Sequence, residues 1–244
     1  MASSVAVVGA TGRMGALAVR LIEAADDLSL HAALGSSDAL DRIDGADLVL
    51  DFTIPAVSPE VVDAALDRGI PTLVGTSGWG ADRIRSLETR VATHPELGVV
   101  IVPNFALGSV LATRFAAMAA PYFDSIEIIE AHHAGKIDSP SGTAVRTAEL
   151  IGRARAEAGP VAAPHADQRA RGQQVASVPI HSLRMNGILA EQQVVFGGTG
   201  EVLRITHETL GDSSYEAGIL LGLRALPSAR GVVVGLENLL ELNG

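Results

Sequence analysis

The chain has no cysteine, a single lysine, and aromatic side chains at only 3% of its 244 residues. Without cysteine there can be no disulfide, no thiolate nucleophile and no Cys-based zinc site, so any chemistry falls to His, Lys, carboxylates, hydroxyls or a cofactor. With so few aromatics, Ala, Val and Leu must fill the core. Basic charge is also scarce: 18 Lys plus Arg against 28 Asp plus Glu leave a net charge of −10, which opposes binding to phosphate backbones and anionic membrane surfaces. Neither a nucleic-acid nor a membrane partner is expected. No apolar run approaches the ~18 residues of a membrane helix, and the start, MASSVAVVGATGRMG, lacks the basic n-region of a secretory signal. A soluble, cytoplasmic protein is expected. Hydrophobic residues at 48% and charged residues at 19% make a globular balance, and the length suits one large domain or two unequal ones.

The lysine is conspicuous because every other basic residue is Arg. An ammonium is a compact charge with a tunable pKa, whereas a guanidinium is a broad fork that stays protonated. A site that needs the former cannot use the latter, which singles out Lys136.

Alternating apolar and helical patterns organise the first part of the chain. Strands are expected at residues 4–8, 28–34, 47–52, 71–74 and 98–102, with helices after the first strand and at 59–68 and 81–93. Alternation of this kind implies a Rossmann-type, doubly wound parallel sheet covered on both faces, an α/β fold. After Pro103 the pattern changes: helix 107–120, strand 125–131, helix 141–158 and a polar loop at 159–174. Three strand-like segments follow at 175–183, 189–196 and 202–207, linked by the turn signals Met185-Asn186-Gly187 and Gly197-Gly198-Thr199-Gly200. The short links predict antiparallel neighbours in an open mixed sheet, a second α+β domain whose uncovered face suits subunit contacts. From Ser214 the chain returns to helix, with Ile219, Leu220, Leu223 and Leu226 on one side, and closes with residues 231–242.

Two segments carry chemistry. Gly9-Ala10-Thr11-Gly12-Arg13-Met14-Gly15 lies between the first strand and an amphipathic helix; glycines let backbone amides approach a pyrophosphate, and the helix N-terminus attracts it. A nicotinamide dinucleotide is the expected cofactor. The second strand ends in Leu34-Gly35-Ser36-Ser37, with no acid before Asp38. This removes repulsion of a 2′-phosphate, and Arg13 and the two serines could receive it, so NADPH is favoured over NADH unless Asp38 folds back. Turns at Asp51-Phe52-Thr53, Gly75-Thr76-Ser77-Gly78 and Val102-Pro103-Asn104-Phe105 fall on the same sheet edge and outline a nicotinamide pocket. Trp79, just past this edge, could shield cofactor or simply pack.

The second segment, residues 130–144, reads EAHHAGKIDSPSGTA. It places two histidines and the only lysine beside a Ser-Gly-Thr helix start, proton donors next to an anion-binding helix N-terminus. Ser141 can cap that helix or bind substrate with its neighbours, Gly142 allows close approach, and Thr143 adds an amide and a hydroxyl, which suits a small dicarboxylate. Adjacent strand residues point to opposite sides, so His132 and His133 share a role only if the strand has ended. The His-His pair lacks a third ligand at regular spacing, and no metal is expected.

These residues resemble the bacterial dihydrodipicolinate reductase family, now called 4-hydroxy-tetrahydrodipicolinate reductase, of diaminopimelate and lysine biosynthesis. The resemblance spans nearly the whole chain and rests on VVGATGRMG, DFT, VGTSG, VPNFALG and, most specifically, EAHHAGKIDSPSGTA. It implies that Gly9, Ala10, Thr11, Gly12, Arg13 and Met14 form the cofactor loop. Gly75, Thr76, Ser77, Val102, Pro103, Asn104 and Phe105 would then lie on the nicotinamide side. It makes His132 the proton donor, Lys136 its partner acid, and His133, Gly142 and Thr143 substrate contacts. Residues 1–104 become a dinucleotide-binding domain, 105–215 a substrate and oligomerisation domain, and 216–244 a segment returning to the first; a homotetramer is implied. The reaction so implied sends hydride to a conjugated cyclic imine bearing two carboxylates, and an acid must protonate the resulting electron-rich carbon. Gly35, where members often carry an acid, is the departure. A redox sensor with a dinucleotide fold, or another small-acid dehydrogenase, is the alternative from the glycine loop alone, but neither needs the His-His, Lys and Ser-Gly-Thr cluster.

Overall fold

The computed structural model describes residues 2–240, and its contacts divide them into two units, one running up to Leu107 and resuming at Tyr215, the other Gly108–Ser214. In the first unit, β1 (Ser3–Val8), α1 (Arg13–Ala24), β2 (Leu28–Leu34), β3 (Leu48–Asp51), α2 (Ser58–Asp67), β4 (Thr72–Val74), α3 (Ala81–Val91) and β5 (Gly98–Ile101) alternate along the chain. After the second unit, α6 (Glu216–Ala225) and β11 (Gly231–Val234) complete the first. All pairings are parallel, in the order β11-β5-β4-β3-β1-β2. This is the doubly wound sheet expected from the alternation.

The strands β1, β3, β4 and β5 are buried throughout apart from the start of β1, as apolar strands covered on both faces must be. On one face α2 and α3 pack Val62, Leu66, Leu87 and Val91 against Val74, Val99 and Ile101. α1 packs with α6, and a Cβ on Gly222 would meet Leu73, which places α6 on the other face. The chain winds from β1 outward to β2, then back across to β3, so strand order reverses between β1 and β3. Crevices at such a switch point, beyond the carboxyl ends of the strands, are where open α/β sheets bind ligands.

The second unit comprises α4 (Leu107–Ala119, its first residue belonging to the first unit), β6 (Ser125–His132), α5 (Gly142–Ala154), β7 (Gln173–Val175), β8 (Val178–Arg184), β9 (Ala190–Gly198) and β10 (Glu201–Thr209). Its five-stranded sheet has the order β10-β9-β6-β8-β7, with β6 and β8 parallel and the other pairs antiparallel. α5 buries Ala144, Thr147, Ala148 and Ile151, an i, i+3, i+4, i+7 stripe. That stripe joins Ile126, Ile128, Ile180, Val194 and Phe196 in one core. The opposite face of the sheet leaves Ile129, Leu183 and Val202 exposed, which matches the open sheet expected.

Three details differ from the sequence reading. Residues 175–183 are not one strand: Ala176 and Ser177 take φ of 47° and 68° and turn β7 back on β8 as a hairpin. A turn built from two residues with positive φ normally signals itself with Gly or Asn, and neither is present. Segments 175–183 and 189–196 are also not neighbours, because β6 lies between β8 and β9. The 185–189 connection instead passes the end of β6, where Met185 N–H donates to His132 O and His133 N–H to Leu189 O. The helix expected to reach 158 stops at Ala154, since Arg155 is pulled in to donate to the carbonyls of Ala120, Phe123 and Gly159. β9 and β10 are the hairpin expected, turning at Thr199-Gly200. Residues 241 and 242 of the closing segment lie outside the described residues.

Candidate active site

In the first unit, the glycine loop bridges β1 and α1 at the switch point. Gly9 has φ +85°, and a Cβ there would lie 2.4 Å from Phe52 O. A Cβ on Gly15 would lie 2.1 Å from Gly9 O and 2.7 Å from Ala10 Cα. The loop is thus folded onto its own helix more closely than any side chain allows. Gly12 is the N-cap of α1 and offers no side-chain acceptor, and the first turn carries no acid. Amides left without side-chain caps at a helix start are what a pyrophosphate takes. These residues fit a dinucleotide. Gly15→Ala is expected to destabilise the fold by about 1–3 kcal/mol and to weaken binding of a nicotinamide dinucleotide. Urea unfolding and nucleotide fluorescence titration check this; wild-type values in both would refute the packing argument.

At the end of β2, Asp38 does fold back: its Oδ2 accepts from Gly35 N–H at 2.8 Å, and its other oxygen pairs with Arg42. The Gly35 amide, followed by the Arg42 guanidinium, holds this carboxyl below its ordinary value. The strand end therefore carries both an acid and a guanidinium. Arg13 lies over the Tyr215 ring, 5.9 Å from its centroid.

The turns after β3, β4 and β5 lie on adjacent strands. Asp51 is fully buried and accepts from Thr53 N–H, the Thr53 hydroxyl and the Ser58 hydroxyl. Ser58 Oγ in turn accepts from Trp79 Nε1–H at 2.9 Å, and the indole packs on the α2–α3 core. Thr76 is buried, its hydroxyl 3.4 Å from Asp51 O. Val102 N–H donates to Val74 O, and Asn104 Oδ1 accepts from Ala106 N–H. Val102 and Phe105 are buried, the latter edge-on to Phe52 with centroids 5.4 Å apart. From these two positions only backbone is available to a ligand, whereas Ser77 and Pro103 are exposed.

In the second unit, β6 ends at His132, so strict alternation does not extend to His133, which is exposed. His132 and Glu130 share a strand face. His132 Nδ1 lies 2.6 Å from Glu130 Oε2. Burial pushes the imidazole below its usual pKa; the hydrogen bond and charge of Glu130 oppose this, and the Lys136 and Arg184 cations reinforce it. Lys136 follows a turn in which its N–H donates to His133 O, and its ammonium grips both oxygens of Asp138 at 2.7 and 2.9 Å. That hydrogen bond is the main cause holding Asp138 below the ordinary carboxylate range.

Ser141 is the N-cap of α5, its Oγ accepting from Ala144 N–H at 3.2 Å, while its own N–H donates to Glu130 Oε1. The amide is thereby engaged, and the hydroxyl, an acceptor here, can still donate its own proton. The first turn of α5 contains no acid, and a Cβ on Gly142 would meet open space. The cluster of His132, Lys136, Gly142 and Thr143 at one strand end can neutralise carboxylates and supply a proton.

Sequence profiles described as "Dihydrodipicolinate reductase, N-terminus" and "Dihydrodipicolinate reductase, C-terminus" match residues 3–105 and 108–240. The chain belongs to the dihydrodipicolinate reductase family. The 4-hydroxy-tetrahydrodipicolinate reductase of Clavibacter sepedonicus is 62% identical over 244 residues, covering 100% of this chain and 88% of the relative. That of Streptomyces griseus subsp. griseus is 49% identical, covering 98% of each. A dipicolinate-bound dihydrodipicolinate reductase from Paenisporosarcina sp. TG-14 superposes with a TM-score of 0.85 at 29% identity, over 98% of this chain and 100% of that one. A scyllo-inositol dehydrogenase from Lactobacillus casei, at 12% identity and a TM-score of 0.62, shares the fold alone.

Within this reductase-family segment, the sequence reading named no role for Glu130, Asp138 or Arg184. Glu130 stands two residues before His132 on a strand, a same-face signal that was available. Asp138 stands two after Lys136, but in a loop, where spacing says nothing of contact. Arg184 comes into play only because β8 runs parallel to β6 with Arg184 opposite His132. Among the described residues no group of three His, Asp or Glu is placed to hold a metal ion, and no helix is long and apolar enough to cross a membrane.

Proposed function

We propose that this chain reduces 4-hydroxy-tetrahydrodipicolinate to tetrahydrodipicolinate with a reduced nicotinamide cofactor, in diaminopimelate and lysine biosynthesis. The observation that carries this reading is the cluster of His132, Lys136 and an acid-free helix N-terminus at the end of β6, in a chain of this family. Loss of water from the substrate gives a conjugated cyclic imine with two carboxylates. The cofactor supplies hydride when bound, and its pyrophosphate is assigned to Gly9, Ala10, Thr11, Gly12, Arg13 and Met14. Gly75, Thr76, Ser77, Val102, Pro103, Asn104 and Phe105 are assigned to its nicotinamide side.

The chain's own residues do the rest. Lys136 exchanges Asp138 for a substrate carboxylate. The amides of Gly142 and Thr143 hold a carboxylate against the positive end of α5, and His133 contributes a further contact. The incoming dianion favours the imidazolium of His132, opposing the effect of burial. That imidazolium delivers a proton from Nε2 to the electron-rich carbon left by hydride addition, since Nδ1 is engaged with Glu130. Ser141 caps the helix, and its hydroxyl proton is assigned to the carboxylate held by Gly142 and Thr143.

The finer assignments follow the same logic. Residues 1–104 and 216–244 bind nucleotide, and 105–215 bind substrate and oligomerise. Ile129, Leu183 and Val202 on the open sheet face are apolar side chains that a homotetramer would cover, and the site of action is the cytoplasm. Asp38 folds back, which counts against NADPH, but Arg42 compensates its charge; NADPH stays the proposed cofactor, with Arg13, Ser36 and Ser37 assigned to the 2′-phosphate. With substrate generated in place by the preceding synthase, kcat/KM is expected to favour NADPH by about two- to five-fold, the worth of one exposed charge contact. A clear NADH preference would overturn this assignment, and no oxidation of either cofactor by folded, nucleotide-binding protein would overturn the reductase reading itself.

A further inference from the structure

Glu130 has no exposed surface, and each of its oxygens has at least two partners. Oε2 meets His132 Nδ1 at 2.6 Å and accepts from Arg184 at 2.9 Å; Oε1 accepts from the same guanidinium at 2.9 Å and from Ser141 N–H at 3.2 Å. Ser182 is a further donor. Arg184 also donates to Asp138 O, so the bidentate pair reaches the loop that carries Lys136. Burial raises this carboxyl's pKa, but the hydrogen bonds from Arg184, Ser182 and His132 outweigh it and keep the group ionised.

A buried ion pair is weak evidence for stability, because desolvation offsets most of the attraction. Its partners here point to a different service. One carboxylate touches the proton donor, the start of the carboxylate-binding helix and, through Arg184, the lysine loop.

We infer that Glu130 is a positioning residue of the proposed reduction: it fixes His132 by Nδ1, so that Nε2 faces the substrate, and ties the N-terminus of α5 and the lysine loop to the same point. This rests on the reading of His132 as proton donor.

The carboxamide of Glu130→Gln is the discriminating change. At the Oε1 position it faces two obligate donors, Arg184 and Ser141 N–H, and must keep its oxygen there. Its NH2 then falls at the Oε2 position, where it faces His132 Nδ1 and also one Arg184 nitrogen, so that one of the two Arg184 hydrogen bonds is lost with it. A neutral imidazole can turn Nδ1 into an acceptor, but an imidazolium cannot, since both its nitrogens are donors. The variant therefore penalises the catalytic acid without removing it, with Lys136 and Arg184 left as the charges facing His132.

The experiment compares wild type, Glu130→Gln and His132→Gln for kcat and KM against pH and for dipicolinate binding by calorimetry. In Glu130→Gln, kcat above neutrality is expected to fall about 10²-fold and its decline with rising pH to begin about 1 unit lower, with KM little changed. An unchanged pH profile beside a crippled His132→Gln would overturn the role of Glu130 alone; full activity in His132→Gln would overturn the donor reading instead. Nitrogen NMR of the wild-type imidazoles, with His132 assigned by its loss in His132→Gln, tests the same point if Glu130→Gln does not fold. Neutral His132 is expected to carry its proton on Nδ1, and a proton on Nε2 would overturn the inference.

Discussion

Replacing Lys136 by Ala is expected to lower kcat/KM by about 10²–10³-fold, the usual cost of removing one preorganised charge from a site where charge develops. Lys136 is the only lysine, and the nearby guanidinium of Arg184 is engaged by Glu130 and Asp138 O. Lys136→Arg is expected to fail as well, because a planar fork cannot occupy the position of a compact ammonium. The loss should not be one of folding: Lys136 and Asp138 are neighbours in a loop, and their pair is partly exposed, a class worth little to stability. Dipicolinate affinity should fall with activity, because Asp138 would remain near the site without its counter-ion. Activity within tenfold of wild type, in protein with an unchanged unfolding midpoint, would remove Lys136 from the site.

The pH dependence of the wild type is expected to betray His132. If the imidazolium is the acid, activity is present below its pKa and is lost as pH rises through it. Burial, with Lys136 and Arg184, depresses that pKa despite Glu130. In kcat/KM, which reports the free enzyme, the fall should thus be centred below about 6.5, the ordinary imidazole value. In kcat the fall should come at higher pH, because two bound carboxylates favour the cation. A steady-state profile with several substrate concentrations at each pH separates the two. Coincident falls would show that the bound dianion does not act on this imidazole.

How much of this was legible depended on whether the information was local. The apolar run that became β2 (Leu28–Leu34) and the stripe of Ala144, Thr147, Ala148 and Ile151 carry their periodicity in themselves. The glycine loop and the His, Lys and Ser-Gly-Thr cluster are contiguous, so residue types alone brought their chemistry together. What failed was long-range. Nothing near Leu183 or Arg184 announces that β8 will lie parallel to β6, yet that pairing puts a guanidinium 54 residues along the chain onto Glu130. The Ala176-Ser177 turn was invisible because its residues are not those that favour positive φ. Arg155 ended its helix through carbonyls outside that helix, a tertiary contact that overrode local helix propensity. Asp38 lies between these cases: its distance from Gly35 allowed it to fold back, but it is the fold that places its carboxylate on the Gly35 amide.

The most direct test of the account is the reductase rate of His132→Gln, followed by oxidation of NADPH with substrate supplied by the preceding synthase. Loss of a general acid is expected to lower kcat by about 10²–10⁴-fold while KM rises by no more than about tenfold, the linked loss of the imidazolium's attraction for the dianion, since Lys136 and the start of α5 are the groups assigned to the carboxylates. A wild-type kcat with a raised KM would contradict it, making His132 a substrate ligand and leaving the proton to another group.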